Sequence, residues 1–90
     1  MKYDPYKNLA LAIICQAIDD YRDAWKKDAG IIGQMPGYGK EIPGAWIRGQ
    51  IRYWTKTEDF DLLGGDVVSS RMLLTRLSQI DHQYEEVLNG

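Results

Sequence analysis

The stretch LALAIICQAIDDYRDAW, residues 9–25, repeats apolar side chains at spacings of three and four. Such spacing places them on one stripe of an α-helix, because 3.6 residues complete a turn. The stripe comprises Leu11, Ile14, Ile18, Tyr21 and Trp25. An apolar stripe of this length has to be covered by other parts of the chain, so we expect it to face the core.

Residues on either side of this stretch indicate where the helix begins and ends. Asp4 followed by Pro5 combines a good N-cap with the residue best tolerated at the first helical position. Lys26 and Lys27 carry the charge that suits a helix C-terminus. We therefore predict a helix over residues 5–27. Small residues seven apart beside the stripe would let a second helix approach closely. They are Ala10, Ala17 and Ala24.

A loop is predicted over residues 28–44, where five glycines and two prolines interrupt every helical period. It exceeds the usual helix-to-helix connection, and long loops in small domains tend to be functional or mobile. Because the loop is rich in apolar residues, we expect it to pack partly onto the domain or onto a partner. These residues are Ile31, Ile32, Met35, Tyr38 and Ile42.

The remaining segments are also predicted to be helical. Residues 45–55 carry Ile47, Ile51 and Trp54 at helical spacing, with Gly49 indicating a close helix contact or a weak point. A short element is expected to be capped by Thr57, to contribute Phe60 and Leu63 to the core, and to end at Gly64-Gly65. A long helix over 66–88 is expected to be capped by Asp66.

No segment alternates apolar and polar residues long enough to predict a strand. The expected fold is all-α: a single domain over residues 1–90 with two long helices, one or two short ones and a glycine-rich loop at 28–44. The expected core comprises Leu11, Ile14, Ile18, Ile51, Leu77, Ile80 and Tyr84.

Composition narrows the class of protein. The chain has 90 residues, 44% of them hydrophobic, and a formal net charge of −2, so we expect one small globular domain and no general polyanion binder. One cysteine and one histidine exclude an internal disulfide framework and predict no structural zinc. The apolar run at residues 9–14 is too short to cross a bilayer, and Asp4-Pro5 does not suit a signal peptide. We therefore expect a cytoplasmic location.

Isolated reactive side chains do not predict an enzyme. Cys15 lies beside the apolar stripe without a neighbouring histidine or lysine, so we expect a buried structural thiol. His82 stands among polar residues and is expected to be solvated; these neighbours are Asp81, Gln83, Glu85 and Glu86. The Gly37–Lys40 segment departs from a phosphate-binding loop in spacing and has Glu41 where a magnesium-binding hydroxyl would be needed. We predict no catalytic set, cofactor or metal.

The most unusual feature is a cluster of aromatic and basic residues within residues 46–56. It contains Trp46, Arg48, Arg52, Tyr53, Trp54 and Lys56. One interpretation is structural, with Arg48, Arg52 and Lys56 forming a solvated row. The other is functional, because Trp, Tyr and Arg concentrate binding energy at protein interfaces. The same residue types also suit stacking on single-stranded nucleic acid. Residues 58–66 carry four acids and no cation, so acidic and basic segments adjoin.

Two stretches resemble short accessory proteins carried by phages and integrative elements of Firmicutes. Residues 8–17, NLALAIICQA, with DYR at 20–22, are similar to that family's N-L-A-x-A-I-I-x-Q-A-x-x-D-Y-R helix. A weaker similarity involves Ile51, Trp54, Lys56, Thr57, Phe60 and Leu63, then Leu74 and Leu77. The chain departs from the pattern in its glycine-rich loop and in having Gly64-Gly65-Asp66 in place of an aspartate-glycine pair. The resemblance implies a mobile-element accessory protein and carries over no catalytic residue.

These observations lead to one hypothesis and one alternative. The hypothesis is a non-enzymatic protein that binds and inhibits a host protein, most concretely an anti-CRISPR-like inhibitor of a nuclease effector. The alternative is a nucleic-acid-binding factor in replication or transcription of the element. An enzyme ranks third. The expected partner-binding residues are Tyr38, Trp46, Arg48, Arg52, Tyr53 and Lys56, with Glu58, Asp59 and Asp61 at the rim.

Overall fold

A computed structural model describes residues 5–64 and 67–89, and within these ranges it contains four α-helices and no strand. They are α1 (Pro5–Asp28), α2 (Gly44–Trp54), α3 (Glu58–Gly64) and α4 (Ser70–Asn89). The predicted all-α class, with two long and two short helices, is confirmed. Among the described residues, none of the helices combines the length and hydropathy that a bilayer crossing requires.

Helix α1 ends in a Schellman motif built around Gly30. This glycine has a φ of 77°, in the left-handed region that disfavours other residues. Its N–H donates to the Lys27 carbonyl at 3.1 Å, and the Ile31 N–H donates to the Lys26 carbonyl at 2.8 Å. The predicted end of the helix is therefore right to within a residue. The predicted cap at its start, Asp4, lies outside the described residues.

The loop over residues 29–43 folds back onto the domain. Pro36 and Gly37, which has a φ of 84°, form a turn in which the Tyr38 N–H donates to the Met35 carbonyl at 3.2 Å. This turn directs Met35 inward, where it is 1% exposed and packs with Ala24 and Ile47. The expectation that the apolar loop packs onto the domain is confirmed.

Helix α2 starts in close contact with the end of α1 and runs back along it. The Gly44 N–H donates to Asp28 Oδ1 at 2.9 Å, and a Cβ at position 44 would lie 2.1 Å from the Ala24 carbonyl oxygen. At its other end, Trp54 lines the same groove as Ile13. Helices α1 and α2 are therefore antiparallel, and only glycine fits where they meet.

Helix α3 connects the end of α2 to the first half of α1. The Thr57 hydroxyl donates to the Trp54 carbonyl at 2.7 Å, and Phe60 meets the Trp54 ring edge to face at 5.1 Å between centroids. The helix ends at Gly64, where an added Cβ would lie 3.4 Å from Ala10 Cβ. Thr57 thus closes α2, although it was predicted to cap the short element that follows.

Helix α4 begins later than predicted. The amides of Val67 and Val68 both bond to the Gly64 carbonyl, at 2.9 and 3.0 Å, which forms a turn instead of a first helical turn. Ser69 then supplies the cap, because its Oγ accepts the Met72 N–H at 3.1 Å. The predicted start at residue 66 is therefore wrong, since Val67–Ser69 precede the helix. Asp66 itself lies outside the described residues.

The core lies between α1 and the other helices. Its main cluster contains Ile14, Tyr21, Trp25, Phe60, Leu73, Leu77 and Ile80, with Ile18, Ile51, Trp54, Val68 and Tyr84 partly buried against it. Two predicted core residues are exceptions: Leu63 is only half-buried and lies outside the main cluster, and Leu11 is 40% exposed. The neighbouring Ala10, 1% exposed, faces Gly64 instead, so the buried stripe shifts by one residue where α3 covers α1.

Alanine substitutions of Leu77 and Leu11 distinguish a buried position from an exposed one. Leu77→Ala removes a fully buried side chain and is expected to lower the free energy of unfolding by about 2 to 5 kcal/mol through cavity formation. Leu11→Ala, on the exposed side of α1, is expected to cost less than about 1 kcal/mol. Urea unfolding followed by circular dichroism measures both. Equal losses in the two variants would contradict this description of the core.

The two glycines of α2 are expected to respond in opposite ways to alanine. Gly44→Ala places a methyl group against the Ala24 carbonyl and should destabilise the protein by about 1 to 3 kcal/mol. Gly49→Ala meets nothing within 4 Å and should stabilise α2 by up to about 1 kcal/mol through helix propensity. Thermal melting of both variants compares them. A neutral Gly44→Ala variant would show that α1 and α2 are less closely packed.

Candidate partner-binding site

Arg52, one of the residues predicted to anchor a partner, is hydrogen-bonded within the molecule. Its Nε donates to the Tyr21 hydroxyl at 2.8 Å, and one terminal nitrogen donates to the Asp81 carboxylate and, at 3.3 Å, to Ser78 Oγ. The guanidinium also lies 5.6 Å from the centroid of the Tyr21 ring. Arg52 therefore ties α2 to both α1 and α4.

Asp81 is the acceptor at the centre of this network. Its Oδ1 accepts the Tyr21 hydroxyl at 2.7 Å and the Trp25 indole N–H at 2.8 Å, while Oδ2 binds Arg52. From the sequence, Asp81 was assigned only to a polar surface around His82. The missed signal is its place in α4, because Ile80 precedes it and Tyr84 follows three residues later, both on the buried side.

The network shifts the titration of its members. Burial opposes ionisation of Asp81, but hydrogen bonds from Tyr21, Trp25 and Arg52 outweigh it and hold the pKa of this carboxyl below its ordinary value. Burial, reinforced by donation to the Asp81 carboxylate, raises the pKa of Tyr21 to about 12. Burial also opposes the charge of Arg52, yet its bonds to Asp81 and Tyr21 leave the guanidinium pKa raised. Asp81 and Arg52 are thus a fixed ion pair.

Arg48 is held in a comparable way one turn earlier. A terminal nitrogen pairs with Asp28 Oδ2 at 2.9 Å, and the guanidinium lies 3.5 Å from the centroid of the Trp25 ring. The arginine side chain is only 13% exposed. Arg48 and Arg52 do not form the solvated row that the structural interpretation expected, and they are not free anchors.

Between the two arginines lies a cleft of about 380 Å³. Its lining residues are Tyr21, Trp25, Ala45, Arg48, Gly49, Arg52, Asp81 and Glu85. A Cβ added at Gly49 would meet no atom within 4 Å, so this glycine is not at the close helix contact that its presence suggested. Both cations in the cleft are matched by acids, so it offers no surplus positive charge to an anion.

The exposed part of the predicted set is aromatic. Trp46 is 53% exposed and Tyr53 is 69% exposed, and their spacing of seven residues puts them on one face of α2. Lys56 follows on the surface and makes no ion pair with any residue in the described part of the chain. Tyr38 is half-buried and packs against the cluster of Ala24, Met35 and Ile47.

The acidic rim residues Glu58, Asp59 and Asp61 all lie exposed in the first turn of α3. The predicted set therefore separates into exposed aromatics on α2, the exposed Lys56, exposed acids on α3, a half-buried tyrosine, and two arginines that are bound internally. The exposed part of the predicted set thus consists of two aromatic rings, three acids and one lysine. This composition suits contact with a protein better than contact with a phosphate backbone.

The two isolated reactive side chains lie at the surface. Cys15 is exposed, so the prediction of a buried thiol is wrong. One residue along a helix rotates by about 100°, which turns Cys15 away from the side where Ile14 is buried. His82 is solvated as predicted, with Nε2 3.2 Å from a Glu86 oxygen. Within residues 5–64 and 67–89, no group of three or more His, Cys, Asp or Glu side chains could hold a metal ion.

Replacing Asp81 tests the network through its pH dependence. Asp81→Asn should lower the free energy of unfolding by about 1 to 3 kcal/mol at pH 7, because the ion pair and charged hydrogen bonds are lost. The carboxyl pKa is lower in the folded state than in the unfolded state, where it is about 3.9. The stabilisation is thus present above about pH 4 and disappears as the pH falls through the folded pKa.

Urea unfolding between pH 2 and 7 measures the difference between wild type and Asp81→Asn. The matched control is Asp19→Asn, which removes an exposed carboxylate 3.8 Å from Arg22 and should change stability by less than about 1 kcal/mol. A wild-type advantage over Asp81→Asn that persists unchanged at pH 2 would contradict the assignment of an ionised Asp81 to this network.

Comparison with protein-family models, with curated proteins and with solved structures finds no match to this chain. The resemblance of residues 8–22 to phage accessory proteins therefore stays a prediction. The candidate site is an aromatic face on α2, held in place by arginine pairs to α1 and α4, beside the acidic first turn of α3.

Proposed function

We propose that this chain is a non-enzymatic accessory protein of a phage or mobile element that binds and inhibits a host protein, most concretely a nuclease effector of a CRISPR defence system. The observation that carries the proposal is the exposed pair Trp46 and Tyr53 on one face of α2. Large aromatic side chains in such positions supply much of the binding energy at protein interfaces.

The aromatic face is presented on a rigid support. Arg48 and Arg52 bind Asp28 and Asp81 from the adjacent flank of α2, and the Gly44 amide fixes its first turn. Fixing the helix before association reduces the ordering entropy that binding would otherwise cost. Arg48 and Arg52 therefore act as positioning residues, which is a change from the anchor role that the sequence predicted.

The adjoining acids favour a basic partner surface. Glu58, Asp59 and Asp61 are exposed directly after the helix that carries Trp46 and Tyr53. Nucleases contact DNA through basic surfaces, so an inhibitor that covers such a surface gains in association rate from acids at its rim. The net charge of −2 is small for a DNA mimic, and shape and aromatic contacts have to supply most of the affinity.

The nucleic-acid alternative loses support from the same contacts. Its expected cations were Arg48, Arg52 and Lys56, and two of these are paired with carboxylates in the protein. Phosphate binding depends on the number of cations that can displace counterions. One exposed lysine beside an acidic turn is a weak basis for such binding, so a protein partner is the better-supported function.

An interference assay tests the proposal directly. Cells carrying a CRISPR nuclease from a Firmicutes host are transformed with a targeted plasmid, with and without this protein. Relief of interference is expected for the wild type and is expected to be lost in the double variant Trp46→Ala/Tyr53→Ala. With the purified effector, the double variant should bind at least about 30-fold more weakly, equivalent to about 2 kcal/mol.

The matched control is Leu62→Ala, which removes an apolar side chain that is 78% exposed on α3, outside the aromatic face. This variant should retain inhibition and binding, and circular dichroism should show the wild-type helix content in all variants. If no defence system tested is relieved, or if the double variant is as active as the wild type, the proposal is wrong. Binding of the wild-type protein to DNA or RNA that weakens steeply with salt would instead support the nucleic-acid alternative.

A further inference from the structure

An apolar groove lies between α1 and α2, on the flank of α2 opposite the paired arginines. Its volume is about 310 Å³, and its floor is formed by Ile13, Ala17, Ile51 and Trp54. Gln16, Asp20 and Gln50 complete the lining. Ile13 is 38% exposed, so the groove opens to the surface. The α1 wall from Ile13 to Asp20 covers two helical turns, about 10 Å at 1.5 Å per residue.

The groove is continuous with the aromatic face. Gln50 lines it and lies four residues after Trp46 and three before Tyr53, so the three side chains are neighbours on α2. A partner that contacts the two aromatic rings therefore also reaches the groove. Together they form an apolar strip with polar edges, which is the usual composition of a helix-binding groove.

The charges at the groove are mainly negative. Among the described residues that line it, Asp20 alone is charged, and its carboxylate accepts a hydrogen bond from Gln16 Nε2 at 2.9 Å. At the other end Trp54 contacts Phe60, which brings the first turn of α3 and its exposed acids next to the groove. An occupant of the groove thus meets Asp20 at one end and, at the other, the segment 56–61, which carries three acids and one lysine.

We infer that this groove receives the apolar face of an amphipathic helix from the partner, with basic residues flanking that face. The inference rests on the proposed function, because it names the chemistry by which the same protein partner is recognised. Two turns of helix would place one or two apolar side chains against Ala17 and Ile51. Lysine or arginine residues on either side would lie near Asp20 and near the first turn of α3.

A second copy of the chain fits the groove less well. Two copies related by a two-fold axis would place the Asp20 end of one groove against the α3 end of the other. Both ends are acidic, so this pairing brings like charges together and is disfavoured. Charge complementarity therefore favours a basic partner helix over self-association.

Binding of designed peptides tests the inference without knowledge of the natural partner. The probe is a fluorescein-labelled peptide of leucine and lysine with the leucines on one helical face. Its length of about 18 residues corresponds to about five helical turns. One control peptide has the same composition in scrambled order, and a second has glutamate in place of lysine. The patterned leucine–lysine peptide is expected to bind the wild-type protein at least about ten-fold more tightly than either control, a difference of about 1.4 kcal/mol.

Variants of the protein locate the binding. Ile13→Ser in the floor and Asp20→Lys at the edge should each weaken binding of the patterned peptide about ten-fold, and Asp20→Lys should also reduce its salt dependence. The matched control Met72→Ser changes a side chain that is 64% exposed on α4 and should bind as the wild type does. Thermal melting checks that all three variants are folded.

Equal binding of patterned and scrambled peptides, or full binding by Ile13→Ser, would overturn the inference. So would sedimentation showing a dimer that Ile13→Ser dissociates, since the groove would then belong to a second copy. Failure of the peptides leaves the interference assay with Trp46→Ala/Tyr53→Ala unaffected. Conversely, peptide binding in the absence of any relief of interference would contradict the proposed inhibitor function and leave the groove assignment standing.

Discussion

The Asp81 carboxylate is the acceptor that joins three helices. Tyr21 and Trp25 reach it from α1 and Arg52 from α2, while α4 supplies the carboxylate itself. A carboxylate in this partly buried position would be costly if it lacked donors, and here it has three. Because Arg52 belongs to this network, the direction in which α2 presents its aromatic side chains depends on a residue of α4.

The main elements follow from local rules and were predictable. Helical spacing identified both long helices, and Gly30 ended α1 because only a residue that tolerates positive φ can close a Schellman motif. The errors arose where a third element decided the outcome. Ala10 is buried and Leu11 is exposed because α3 covers the Ala10 side of α1. Val67 lies outside α4 because its amide donates to the Gly64 carbonyl. The spacing of apolar residues along one helix does not reveal such contacts with another element.

The candidate site was predictable in composition but not in orientation. The aromatic and basic cluster of residues 46–56 is recognisable in the sequence, and Trp46 and Tyr53 are indeed exposed. The arginines could not be assigned in the same way, because their acceptors, Asp28 and Asp81, lie 20 and 29 residues away along the chain. Pairing over such distances depends on the fold as a whole. Because of this pairing, Arg48 and Arg52 support α2 and are not available as the direct partner contacts that the sequence predicted.

The bond between Tyr21 and Asp81 also has a consequence for the order in which the molecule folds. It joins residues 60 apart in the sequence, so the hydrogen bonds of Tyr21 and Trp25 to Asp81 form only when α4 is in place. Closing so long a segment costs chain entropy, and the hydrogen bonds that offset this cost form only when α4 docks. Before α4 docks, Tyr21 and Trp25 can contact Arg52 and Arg48 of α2 but lack their shared acceptor, so α4 completes the core around both aromatic rings.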